Sequence, residues 1–421
     1  MRNTTESERP DGYDVRIHIT YKALACVLIL LLALVAIGAV SAAVKRNTSS
    51  LPWLSSFGDD MPPAGTPPWG ELTSSDLALE EPEEYVDFEN TTNRVAVWHF
   101  PGATLPQIAE LLAECGLSAA ETRRVLSPDR VTAPSENQYD IRPSDELLLS
   151  LTPAVRTKLY TKLAETEANH FMRTPYYIPS TVEEHLRNSE LKPETIRLIS
   201  QLAYTRSGHW YFSDIEVVLH SLPAEADRLK LLKVLSRAAI VAAKLRIRPH
   251  TDINSILNYW GWAPNVRLKD VRPFLESLKR QPHGGSIDLI YFLPIFAREH
   301  LYTSPLPSKP GALAPNCFWT TMNFFNVVPD DRFYDGAYLT KYVEENYYPV
   351  AKPCCYGDLV IVADKNGAAI HSAIYLADDI VFTKNGAHFA QPWTLMRLKT
   401  LIALYAVTES PHLLFFRAKS T

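Results

Sequence analysis

The sequence predicts an α+β protein in three parts: an N-terminal transmembrane helix, a mainly helical middle region, and a C-terminal domain in which a cysteine-bearing helix packs on an antiparallel sheet. Three observations carry that prediction. One long uncharged apolar run lies near the start. Apolar residues at helical spacing dominate from about Ser144 to His300. After Leu301 the chain switches to short β-branched and aromatic runs bounded by glycine and proline.

The first run, residues 23–44, reads ALACVLILLLALVAIGAVSAAV and holds neither charge nor proline. A helix of that length spans a hydrocarbon core about 30 Å thick. Small residues at Ser41, Ala42 and Ala43 would also suit a signal-peptide cleavage. The length of the run and the mixed charge of residues 1–22 favour an uncleaved single-pass anchor. Arg16 and Lys22 before it are matched by Lys45 and Arg46 after it, so flanking charge does not orient it. A short tail followed by a large body fits a cytoplasmic tail and an extracytoplasmic body.

The chain has 421 residues and a net charge of −5. No basic patch stands out, which argues against a nucleic-acid partner. Five cysteines, one of them Cys26 in the anchor, are too few for a disulfide scaffold. The histidines of the middle region, among them His170, His185, His209, His220, His250, His283 and His300, lack metal-type spacing, so neither a metal nor a cofactor is expected.

Residues 45–93 read as an extended Pro-rich acidic linker. Ten acidic residues and no basic one lie between Asp59 and Glu89, and self-repulsion with proline stiffness would extend such a segment. Residues 94–300 follow as a mainly helical domain. RVAVWHF alternates like a strand, and helical stretches follow at Pro106–Cys115 and Ser118–Leu126. That strand and helical hairpin resemble in outline a glycan-binding module of the lysin-motif type; a local hairpin inside a larger domain is the better reading. LKPETIRLISQLAYTRSG, DRLKLLKVLSRAAIVAAKLRI and SIDLIYFLPIFAREH each read as helix.

In residues 301–421 a short helix is expected from Cys317, then strands at GDLVIVA, AIHSAIYL and DIVFTK, with DKNG as a hairpin turn. A helix from Pro392 and a strand near HLLFFRA close the chain. Cysteine hydrolases need a thiolate near a basic imidazole. A cysteine at a helix start gains thiolate stability from free backbone N–H groups, and those groups can donate to an oxyanion. Cys317 fits that placement, and His371 lies on a strand 54 residues downstream. Alone, either residue is more often structural; together, with GDLV between them, they are more specific.

The series Asn316-Cys317-Phe318-Trp319, Gly357-Asp358-Leu359-Val360 and His371-Ser372-Ala373-Ile374-Tyr375-Leu376 resembles the NlpC-type cell-wall cysteine peptidases, a papain-like family. The resemblance is confined to the C-terminal domain. It implies a papain-like fold, a Cys317 nucleophile, a His371 base and a substrate amide in peptidoglycan stem peptides. Asn316 stands where the family has Asp, and Phe318-Trp319 where it has Ser-Gly, which would reshape the pocket. The family's third polar residue falls at Thr383, a poor imidazole orienter. Asn385 is ranked first for that role, then His388, then Thr383; Asn385-Gly386 also reads as a turn pair. Tyr302 is a possible auxiliary residue, and Asp358 reads as structural. Two alternatives stay open: a catalytically degenerate fold serving as an envelope scaffold, and an amidase or acyltransferase acting on a lipid or small amide.

Overall fold

The computed structural model describes residues 67–86, 92–261, 268–305, 313–353, 355–406 and 411–419. The chain divides into two compact units, residues 1–59 and 60–421, and all described residues belong to the second. The expected anchor at 23–44 lies outside the described residues. Among those described, no helix is long and apolar enough to cross a membrane.

Over the described residues the fold is mixed α/β with four antiparallel sheets, which corrects the expectation of a mainly helical middle region. The first sheet joins β1 (71–79), β8 (238–247) and β9 (285–288) in the order β1-β8-β9. The second joins β2 (98–101), β3 (131–135) and β4 (138–141), ordered β2-β4-β3. The third joins β5 (176–178), β6 (204–206) and β7 (209–212), ordered β5-β7-β6. The fourth has six strands: β10 (347–350), β11 (359–363), β12 (369–377), β13 (380–384), β14 (393–397) and β15 (412–418). Their order is β10-β15-β11-β12-β13-β14.

β1 comes from the segment expected to be a linker. It pairs with β8 over nine residues, from Glu71 opposite Arg246 to Leu79 opposite Ala238. Its acids do not repel one another into an extended chain, because arginines meet them. Glu71 pairs with Arg248 at 2.5 Å, Glu80 with Arg237 at 2.6 Å and Asp76 with Arg397 at 3.0 Å. Surface pairs of this kind add little; backbone pairing does the rest.

β8 itself carries the pattern of a helix tail. The helix 225–235 stops at Ser236, and AAIVAAKLRI runs on as strand. Its alanines favour helix, but β-branched Ile240, Val241 and Ile247 are buried between partners on both sides. SIDLIYFLPIFAREH likewise splits into β9, a 3-10 turn at 289–292 and a helix at 295–300, because Pro294 cannot continue the first turn.

Five helices matter below. α1 (105–115) and α2 (119–125) form the hairpin after β2, each opened by a capping box, at Thr104/Gln107 and Ser118/Glu121. α3 (153–163) carries the buried Arg156 and Tyr160. α4 (317–322) begins at Cys317, and α5 (398–405) ends at Tyr405.

Two apolar cores result. The first gathers residues from Trp98 to Leu235. The second runs from Val241 to Leu395 and crosses the expected boundary at 300/301. Trp260 packs on Phe292 and Tyr356 at 5.4 and 5.1 Å between ring centroids, so β8, its following helix and the six-stranded sheet share one interior. A further tie joins the first core to α5: the Tyr211 hydroxyl of β7 donates to Ala403 O at 2.6 Å.

Candidate active site

Asn316 caps α4, its side-chain oxygen accepting from Trp319 N–H at 2.8 Å. Asn does here what an acid would do, since an Asx side chain at a helix start satisfies a free backbone donor. Cys317 is the first helical residue and is 5% exposed. Trp319 does not wall a pocket. It is buried against Phe296 and Tyr334, with Nε1 donating to Asp331 at 3.1 Å.

Gly357 opens the next segment at φ +94°, a region that L side chains rarely adopt. Asp358 is fully buried and structural. It takes a bidentate pair from Arg417 at 2.8 Å and the Cys355 N–H at 3.0 Å, fastening the start of β11 to β15.

His371, on β12, is fully buried. Its Nε2 lies 2.8 Å from Thr383 Oγ1, and the Thr383 hydroxyl donates to Ser372 O at 3.1 Å. A Thr383 hydroxyl that gives its proton to that carbonyl accepts from the imidazole, which puts the proton of neutral His371 on Nε2 and the lone pair on Nδ1. Nδ1 is buried and makes no hydrogen bond among the described residues. The ring stacks on Tyr405 at 4.2 Å and 24°.

Of the three candidates for the orienting role, Thr383, ranked last, is the one that meets the His371 ring. β13 ends at Lys384, so Asn385 leaves the sheet. Its amide reaches Met396 sulfur at 3.9 Å, and its Oδ1 is buried without a partner. His388 is exposed, with Nδ1 accepting from Ala390 N–H at 3.2 Å. Tyr302 gives its hydroxyl to Val241 O at 2.5 Å. Thr383→Val is expected to lower any His371-dependent turnover by about 10- to 100-fold, whereas Asn385→Ala should stay within about twofold of the parent. Equal losses in steady-state rates would show that Thr383 does not orient the ring.

No hydrogen bond joins Cys317 to His371 among the described residues. Consecutive strand residues point to opposite faces. Ser372 turns toward α4, donating to Thr321 Oγ1 at 2.9 Å, while His371 turns toward Tyr405 of α5. Burial pushes the Cys317 thiol up, opposed by the N–H and hydroxyl of Ser372 and the N–H of Phe318. Burial also drives His371 down to about 3. At rest the pair is a neutral thiol and a neutral imidazole. Three hollows of about 780, 450 and 410 Å³ lie elsewhere, and neither residue lines any of them.

The His371 shift has a stability signature. Unfolded His371 binds a proton below about 6.5, and folded His371 only below about 3. Stability is therefore lost as pH falls through that window. Glu216 acts in the opposite sense. Burial raises it to about 7, so the folded state keeps a proton that the unfolded state releases above about 4.5, and stability is lost as pH rises from there. Between about pH 4.5 and 6.5 the two slopes oppose each other. Urea unfolding of His371→Gln should lose stability with rising pH in that range, and Glu216→Gln should gain it. Parallel pH slopes in both variants would contradict the burial of these charges.

The structure also reveals a residue that the sequence pattern does not single out. Lys384, the last residue of β13, is fully buried. Among the described residues, no group of three or more His, Cys, Asp or Glu side chains is placed to hold a metal ion. No protein-family model matches the chain, and no curated protein or solved structure matches it.

Proposed function

We propose that this chain is a cysteine-dependent hydrolase of amide bonds, with Cys317 as nucleophile, His371 Nδ1 as base and Thr383 as the group that orients the imidazole. The observation that carries the reading is the unpartnered Nδ1 of His371, a buried nitrogen left free while Nε2 is held by Thr383. A purely structural histidine gains nothing from that arrangement, because an unsatisfied buried polar atom costs about 1–3 kcal/mol.

Because the two side chains leave opposite faces of the sheet at rest, the reaction requires the His371 ring to leave Tyr405 and bring Nδ1 to the thiol. Nδ1 takes the thiol proton, and sulfur attacks the carbonyl carbon. The C–N bond breaks as the imidazolium returns the proton to the leaving amine. Water, deprotonated by Nδ1, then cleaves the thioester, releasing a carboxylic acid and restoring the thiol. The resemblance of the Cys317, Gly357-Asp358-Leu359-Val360 and His371 series to NlpC-type peptidases favours an amide in peptidoglycan stem peptides, and with it a site of action outside the cytosol.

The test is incubation of the full chain with purified muropeptides, counting new amino groups and looking for a thioester adduct on Cys317 by mass spectrometry. New amines together with an adduct confined to Cys317 are expected. Neither appearing on muropeptides or on simple amides would defeat the reading. A second reading, a catalytically silent fold used for binding, is favoured by the raised thiol and by the missing Cys317–His371 bond. It predicts muropeptide binding without new amines.

A further inference from the structure

We propose that Lys384 is the charge partner of Cys317: in the resting site, where His371 lies on the opposite face of the sheet, it is the buried ammonium that favours the thiolate. The inference rests on the hydrolase reading for its purpose, but not for its test.

A fully buried lysine is rare unless it is paired. Lys384 Nζ donates to Gly386 O at 3.1 Å and to His388 O at 2.8 Å. Both acceptors are neutral carbonyls, and no carboxylate among the described residues pairs with it. The charge therefore sits in the interior with dipoles around it and one N–H left to give.

Its position follows from register. Ile374 lies opposite Phe382, and continuing that pairing sets Ser372 opposite Lys384 on one face of the sheet. That face is the one α4 covers. Ser372 donates to Thr321, and the Phe382 ring meets Phe324, just past the helix, at 5.1 Å. α4 packs across both β12 and β13. Thr321 is one helical turn from Cys317, so the thiol lies over the same part of the sheet. His371 and Thr383 occupy the other face.

The electrostatics agree with that placement. Burial lowers the Lys384 ammonium to about 8, and the ionisable group that opposes the drop is Cys317. The titratable groups that meet the thiol's field are Lys384 from β13 and Tyr405 from α5, whose phenol is held protonated by burial. Ser372 and Phe318 contribute neutral donors. Lys384 is the cation among these groups; the thiol's own upward shift is set by burial and these neutral donors, so the placement on one face of the sheet, not the shift, carries the pairing. In a low-dielectric interior one such charge acts far more strongly than it would in water. Forming the thiolate turns an isolated buried cation into an ion pair. That lessens the burden of Lys384 as well as that of Cys317.

The test reads thiolate directly. Ultraviolet thiolate absorbance of the full chain is followed against pH, with the Cys317→Ser chain subtracted so that only this sulfur is seen. Lys384→Met is expected to move the titration upward by about one pH unit or more, a tenfold loss of thiolate at a given pH. Lys384→Arg should restore it to within about threefold, and His371→Gln should leave it within the same margin. Met keeps the length of Lys and removes a buried charge, a change that folded proteins tolerate; the thermal midpoint checks this, and the Arg variant supplies a second reading. A Lys384→Met curve that superimposes on the parent curve overturns the proposal, as does an equal shift in His371→Gln. Hydrolysis is scored separately. Activity with an unmoved titration refutes the pair alone, and a moved titration without activity refutes the hydrolase alone.

Discussion

On the hydrolase reading, Cys317→Ala is expected to abolish amide hydrolysis, lowering any muropeptide turnover by about a thousandfold or more, with binding changed less than about threefold. The size follows from chemistry. Without sulfur there is no thioester, and what remains is water attack helped only by positioning. The fold should survive, because alanine fits where a cysteine sat and α4 keeps its Asn316 cap. The loss of one buried thiol should cost about 1 kcal/mol. Release of stem-peptide amines by the two chains, side by side with circular dichroism, makes the comparison. Equal release would remove Cys317 from the mechanism altogether. The silent-fold reading would instead show no release from either chain.

Arg156→Ala is expected to destabilise the protein by about 3–5 kcal/mol, the loss typical when one partner of a buried ion pair is removed. Arg156 is fully buried and Asp214 nearly so. Arg156 Nε meets Asp214 at 3.0 Å, and its other nitrogens donate to the carbonyls of Leu148, Leu151 and Gln201. Tyr160 donates to the second Asp214 oxygen. Alanine leaves a buried carboxylate and three carbonyls short of a donor. The double variant Arg156→Met with Asp214→Leu removes both charges and should lose less than Arg156→Ala, since no uncompensated charge remains. Urea midpoints decide the matter. A double variant no better than the single would mean that the carbonyl contacts, not the ion pair, hold this region.

The two effects fall in regions that the sequence exposes very unequally. Around Cys317 most of the strands are legible. The run from Leu359 to Ala363 and the run from Ile380 to Lys384 are rich in β-branched and aromatic residues and bounded by turns, so composition and spacing find them. What stays hidden there depends on register. Nothing in the string VFTK says that Thr383 faces the imidazole while Lys384 turns under α4. A lysine at a strand end ordinarily reads as solvated. Asn385 draws attention through its chemistry, but the sheet ends one residue before it.

The middle region is obscure for a different reason. β5, β6 and β7 have three or four residues each, too few for alternation to show. β8 needs β1 to exist as a strand, and β1 lies in a segment whose acids suggest an extended coil. Its arginine partners stand more than 150 positions away in sequence, as with Glu71 and Arg248.

The bond from Tyr211 to Ala403 bears on how the C-terminal part can be studied. Two residues beyond Ala403 is Tyr405, the aromatic floor on which His371 lies. Residues long before 301 therefore brace the imidazole from beneath, and Trp260 and Phe292 fill the interior behind it. A fragment cut at that point would carry Cys317, His371, Thr383 and Lys384 and lack the frame that holds them, so the hydrolase reading is to be tried on the intact chain.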